Sequence, residues 1–174
     1  TAFHGLTLSW EPGERSRDAG VRFMRSLTSN LAGFISDHRV QLRWETFAED
    51  CADDVISWMS ADVPVALAFN DHTTSTLRKV AAGQDRKRQQ WASRAGMRPE
   101  AYREAVRGVA ERAPNVPALM ERVAAAARAS GTVMLSHDDR TIADRETFSQ
   151  LGVNVCEFPL TDEAARHAID AGTP

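Results

Sequence analysis

Histidines and carboxylates recur directly after the apolar runs of this 174-residue chain. Glu45 closes one such run, Asp71 and His72 follow the next, and His137 and Asp138 follow a later one. In parallel α/β folds, residues at the carboxyl ends of the strands meet at one edge of the sheet. Carboxylates crowded at such an edge repel each other unless a positive group lies among them, and a divalent cation is the usual partner. The pattern therefore predicts a metal site.

Aspartate, glutamate and histidine together suit zinc, manganese, iron or magnesium. A cation of this kind lowers the pKa of a bound water and makes hydroxide available near neutral pH. We predict metal ligands at Glu45 and His137, catalytic residues at Asp71, His72 and Asp138, and substrate-binding residues at Arg43 and Arg140.

Several of these residues also have a purely structural interpretation. Glu45 could pair with Arg43 on the rim of its strand, and either Asp71 or His72 could cap the helix that follows. Asp139 is predicted to be the N-cap of the next helix, and Glu157 could be a rim charge. At this stage both interpretations stay open for each residue.

The elements that position these residues alternate between strands and amphipathic helices. Strands are predicted at residues 2–8, 40–45, 63–69, 133–136 and 153–156, with helices at 15–37, 49–60, 140–151 and 161–171. This alternation predicts an α/β fold with a parallel sheet. In residues 40–45, one face carries Val40, Leu42 and Trp44, and the other is polar along its whole length. A polar inner face fits the mouth of a barrel better than an open sheet covered on both faces.

A long segment without a strand interrupts the alternation between Asp71 and Gly131. Helices are predicted at residues 75–94 and 100–112, and a third helix is predicted from the N-cap Asn115 to Ser130, with Gly131 at its C-terminal end. The first two are very polar, so residues 74–113 are predicted to be a helical insertion, either a lid or an arm that contacts a partner.

Composition excludes several classes of function. With 43% hydrophobic residues, residues 1–174 can build one core and form a single domain. A net charge of −3 is not the positive charge that binding to nucleic acid or an anionic membrane requires. No apolar run approaches the ~20 residues that span a bilayer. The basic run at residues 86–88 is interpreted as a solvated helix face. Cys51 and Cys156 lie outside any paired motif and are predicted to be buried free thiols, which suits the cytoplasm.

Four short motifs resemble one known family along the whole chain. They are LRWE at residues 42–45, NDH at 70–72, SHDD at 136–139 and EFPLT at 157–161. In this combination and spacing they are similar to the PhnM-type hydrolases of phosphonate metabolism, in the amidohydrolase superfamily.

The resemblance implies a TIM-like (β/α)8 barrel with a metal centre at its C-terminal mouth, of which this chain would supply about strands 2–6. It implies removal of pyrophosphate from α-D-ribose 1-methylphosphonate 5-triphosphate, a phosphorylated ribose phosphonate. The family's first-strand histidine motif and last-strand aspartate have no counterpart here, so the chain is expected to be inactive alone and its parent active. His4 stands where relatives would carry an acidic residue.

Two alternatives remain. The chain could be a non-catalytic α/β piece that covers its open sheet edges by self-association, and a homo-oligomer is expected in either case. It could instead be an independent small α/β metal-binding domain of receiver or flavodoxin type. The order of the strands distinguishes this last alternative from a barrel.

Overall fold

The computed structural model describes residues 1–83 and 85–174, without the side chains of residues 80, 85, 87 and 88. The strands are β1 (Ala2–Leu8), β2 (His38–Glu45), β3 (Val65–Asn70), β4 (Val133–His137) and β5 (Val155–Glu157). The α-helices are α1 (Arg17–Asn30), α2 (Ala52–Trp58), α3 (His72–Ala81), α4 (Asp85–Arg94), α5 (Pro99–Ala110), α6 (Val116–Ser130), α7 (Ile142–Gln150) and α8 (Asp162–Asp170). Two side chains of the basic run at residues 86–88 thus lie outside those described.

All five strands pair in parallel, in the order β1-β2-β3-β4-β5. The α/β prediction with a sequential parallel sheet is therefore confirmed. Doubly wound sheets, including those of receivers and flavodoxins, reverse direction at an internal switch point and place the first strand inside the sheet. Here β1 lies at one edge and β5 at the other, so the sheet is open and that alternative topology is wrong.

One face of the sheet packs against helices, and we call the opposite one the open face. Val40, Leu42 and Trp44 of β2 are fully buried on the helix-covered face, as their alternation predicts. They join side chains of α1, α2 and α6 in the main hydrophobic core. Gln41 and Arg43 point to the open face. That polar face distinguishes the sheet from one buried on both sides.

A contact across the open face shows that the sheet is curved. Gln41 Nε2 donates to Glu157 Oε1 and Oε2 at 3.0 and 2.9 Å. These residues belong to β2 and β5, which are separated by two strands, and a flat sheet would place them about 14 Å apart. A glutamine and a glutamate side chain do not span that distance. The sheet therefore bends toward its open face.

The helices α3, α4 and α5 between β3 and α6 form what we call the arm. A single helix was predicted at residues 75–94, but α3 ends at Ala81 and a turn follows, in which Gly83 has a φ of +71°. Only glycine adopts this left-handed backbone without strain, so the turn separates two helices. The arm packs around its own small cluster of Ala92, Ala95, Tyr102 and Val106.

The other differences from prediction lie at element ends. α1 stops at Asn30 and a short 3-10 turn follows, whereas the periodicity predicted helix to residue 37. Asn115 stands at the N-cap of α6 without a side-chain cap, while Gly131 ends that helix at a φ of +70° as predicted. Cys51 is buried, but Cys156 is only partly so. In the described part of the chain, no helix is both long and apolar enough to cross a membrane.

Candidate metal centre and the adjoining cavities

The carboxyl ends of β2 to β5 bring most of the predicted residues together. Glu45 is the last residue of β2 and His137 the last of β4, while His72 begins α3 directly after β3. The rings of His72 and His137 lie 5.8 Å apart between centroids. Because parallel strands end at the same edge, side chains far apart in sequence meet there.

Glu45 and His72 form a tightly hydrogen-bonded pair. Both oxygens of the buried Glu45 carboxylate accept from the His72 backbone N–H at 3.2 Å, and the His72 Nδ1–H also donates to Oε1. Burial raises the pKa of Glu45, and the hydrogen bond that His72 donates to Glu45 raises the pKa of His72. With Nδ1 held by the carboxylate, Nε2 is the nitrogen left to face the site. Carboxylates orient metal-binding imidazoles in this way.

The side chain of His137 is 8% exposed. Its Nδ1 lies 3.1 Å from Asp138 Oδ1, but the two atoms are not aligned as a hydrogen bond. Within the described residues this Nδ1 has no hydrogen-bond partner. Arg43 Nη2 donates to the other ring nitrogen, Nε2, at 2.9 Å. Burial lowers the pKa of His137, so its neutral form, the form that binds metals, is favoured.

Three of these side chains could hold one metal ion. His72, His137 and Asp138 each offer a ligand atom, and these atoms all lie within 4.8 Å of one another. His72 Nε2 is 3.8 Å from Asp138 Oδ2. Ligands of one zinc ion stand about 3.5 Å apart at usual bond lengths, so a small contraction would close the set. The unpartnered, buried Nδ1 of His137 fits such an ion, and we call these residues the triad.

Binding through that Nδ1 has a condition. The Nε2 atom of His137 would then carry the proton and could no longer accept from Arg43. The Arg43 guanidinium would have to turn away, and Glu157 Oε2 already lies 3.7 Å from its Nη1. Glu157 is therefore an alternative partner for Arg43.

The other predicted site residues lie around the triad. Glu45 hydrogen-bonds to His72 and is not itself one of the three candidate ligands. Asp71 is exposed, and its Oδ1 accepts from the Thr74 backbone N–H at 2.9 Å, which is the capping role left open by the sequence. Arg140 is exposed at the rim of a cavity of about 310 Å³ that also contains His72, His137 and Asp138. The structure thus brings Arg43 and Glu45 against the triad and leaves Asp71 and Arg140 at its edge.

Asp139 does not cap a helix, and that prediction is wrong. Thr141 is the N-cap of α7, in a capping box with Asp144. Asp139 is buried instead, and its Oδ2 accepts from Arg145 Nη1 at 2.8 Å and from Ser136 Oγ at 2.5 Å. Its neighbour Asp138 has a left-handed backbone, with a φ of +64°. The buried pair therefore fixes the turn that presents Asp138.

A second cavity of about 330 Å³ adjoins the triad on the β1 side. It shares His72, Ser75 and Lys79 with the first. The buried Glu11 carboxylate accepts from Arg94 Nη2 at 2.7 and 2.8 Å and from the Tyr102 hydroxyl at 2.7 Å. Glu11, which follows β1, was not among the predicted site residues, and its partners lie in α4 and α5 of the arm.

No protein-family model, curated protein or solved structure matches this chain. The family therefore remains a resemblance carried by residues 42–45, 70–72, 136–139 and 157–161.

Proposed function

We propose that the chain is the central part of a (β/α)8 barrel and belongs to a metal-dependent hydrolase of PhnM type. Such an enzyme removes pyrophosphate from α-D-ribose 1-methylphosphonate 5-triphosphate. The triad of His72, His137 and Asp138 at the carboxyl edge of the sheet is the observation that carries this proposal. The sequential parallel order, the polar open face and the curvature of the sheet support the barrel.

The chain's own residues divide the work of such a site. A bound zinc, manganese, iron or magnesium ion would lower the pKa of a water molecule and supply hydroxide near neutral pH. His72, His137 and Asp138 would hold the ion, and Glu45 would orient His72 and strengthen it as a ligand.

Arginines on both sides of the triad fit an anionic substrate. Arg43 lies against His137, and Arg140 lies at the rim of the first cavity. Guanidinium groups match the geometry of phosphate oxygens and stay charged at all relevant pH values. We propose that these two arginines contact the phosphate groups of the substrate.

One observation favours a second candidate, a non-catalytic piece that self-associates. On the open face, Phe3 is 62% exposed and Val133 is 50% exposed, and in the described part of the chain both edges of the sheet lack a neighbouring strand. Unpaired strand edges and exposed apolar side chains favour association with another chain. Sedimentation of the chain as a monomer at high concentration would contradict this candidate, whereas a dimer that binds no metal would favour it.

Metal binding by the chain tests the triad. We expect zinc, measured by competition with a chromophoric chelator, to bind with one site, and His137→Ala and Asp138→Asn to weaken it at least about tenfold. Asp62→Asn is the matched control because Asp62 is exposed and precedes β3, at the opposite end of that strand from His72. Equal affinity in Asp138→Asn and Asp62→Asn would refute the triad.

Pyrophosphate release tests the reaction. We expect no release by this chain with any of the four metals, because the family's first- and last-strand ligands have no counterpart in it. A longer parent protein should release pyrophosphate, and Glu45→Ala or His137→Ala should abolish or greatly reduce this. Release by the chain alone would show that its site is self-contained and would contradict the requirement for ligands from other strands.

A further inference from the structure

The cavity on the β1 side is lined by more positive than negative side chains. Four cationic residues face two carboxylates, Glu11 and Glu45, and the cations are Arg15, Arg43, Lys79 and Arg94. Of these cations, Arg43 also faces Glu157, whose Oε2 lies 3.7 Å from its Nη1. The cavity volume of about 330 Å³ lies within the range of small-molecule sites.

The two carboxylates are already engaged. Glu11 accepts hydrogen bonds from Arg94 and Tyr102, and Glu45 accepts them from His72. Neither carboxylate forms a hydrogen bond or ion pair with Arg15, and among the described residues the Arg15 side chain has no such partner at all. The backbone of Arg15 is nevertheless fixed, because its carbonyl accepts from the Ser9 N–H at 2.7 Å.

Arg15 therefore stands beside other cations and, within the described residues, makes no direct ion pair. Burial lowers the pKa of Arg15 and the charge of Arg94 lowers it further, which together outweigh the opposite effects of Glu11 and Glu45. Holding guanidinium groups together in a partly buried cavity is unfavourable unless an anion lies between them. Both hydrogen bonds from Arg94 to Glu11 are made by Nη2, so the other N–H groups of this guanidinium can donate to a ligand.

We propose that this cavity is a binding site for a phosphate-type oxyanion, held by Arg15 and Arg94 and closed on the arm side by Trp91 and Lys79. A tetrahedral oxyanion offers several acceptor oxygens to the guanidinium forks. The site lies next to the triad but does not include its ligand atoms from His137 and Asp138. Only the identity of the physiological ligand, a phosphorylated substrate, rests on the proposed function.

Inorganic phosphate is the probe, and calorimetric titration of the whole chain in a buffer with a chelator is the measurement. Chelation keeps the triad free of metal, so the anion site is tested by itself. We expect saturable binding of phosphate and much weaker binding of acetate. Arg15→Gln should weaken phosphate binding roughly ten- to a hundredfold, as expected for the loss of a hydrogen bond to a charged group.

Arg107→Gln is the matched control, because Arg107 is an exposed arginine of the arm outside the cavity. Arg94→Gln should also weaken binding, but it leaves the buried Glu11 without its ion-pair partner, so Arg15→Gln is the deciding variant. Absence of saturable phosphate binding, or equal affinity in Arg15→Gln and Arg107→Gln, would overturn the proposal. Zinc binding without phosphate binding would refute the anion site and leave the metal site standing. Phosphate binding without zinc binding would refute the metal site and leave the anion site standing.

Discussion

Replacing Arg145 by methionine should destabilise the fold severely. The side chains of Arg145 and Asp139 are 3% and 1% exposed, and Nη1 donates to Oδ2 at 2.8 Å. Arg145 also donates to Ser136 Oγ, which in turn donates to the same carboxylate oxygen. Methionine fills a similar volume but leaves the Asp139 charge buried without a cation. Breaking one side of a buried ion pair costs about 3–5 kcal/mol.

In a chain of this length each kcal/mol shifts Tm by about 2–4 °C, so the loss corresponds to roughly 6–20 °C. Thermal and urea unfolding followed by circular dichroism would measure it, with Arg107→Met as the exposed control. The double variant Arg145→Met with Asp139→Leu should regain at least half of the loss, because both charges are then removed together. A loss below about 1 kcal/mol in the single variant, or a double variant no more stable than it, would refute the assignment of a buried, mutually dependent pair.

Glu45→Gln should weaken zinc binding roughly 10- to 100-fold in a chelator competition, because an amide supports the adjacent imidazole less well than a carboxylate. Gly20→Ala should cost about 1–3 kcal/mol on urea unfolding, since its new methyl group collides with the side chain of Leu8. Gly108→Ala, in a helix with open space around it, should instead stabilise by about 0.5–1 kcal/mol. Burial raises the pKa of Cys51 to about 12, so its thiol should resist iodoacetamide at pH 8.5 in the folded chain and react once urea unfolds it. The folded state disfavours this thiolate, so its contribution to stability is lost as pH rises from about 8.5 toward 12.

The strands could be predicted from the sequence because each is a short apolar run with a clear alternation or boundary. β2 shows this best, since the residues that alternate in sequence also separate onto the two faces. The edge at which Glu45, His72 and His137 meet follows from the parallel order alone. These features depend on local pattern and on the geometry shared by all parallel sheets.

The partners of the polar residues could not be predicted. Asp139 lies where an N-cap is common, but Arg145 reaches it from inside α7, a helix whose sequence shows no apolar stripe pointing inward. Glu11 meets Arg94 and Tyr102 only because the arm folds back over the end of β1. Side-chain pairing over such separations depends on tertiary packing, which neither periodicity nor propensity encodes.

The anchoring of the arm by Glu11 has an evolutionary consequence. This one buried carboxylate accepts hydrogen bonds from Arg94, 83 residues away, and from Tyr102, 91 residues away. A lineage that replaces Arg94 alone leaves the negative charge of Glu11 unmatched in the interior, at a cost that selection would oppose. Substitutions at the three positions should therefore occur together, with a neutral residue at position 11 wherever the arginine is lost. In an alignment of homologues, these positions should appear as co-varying columns.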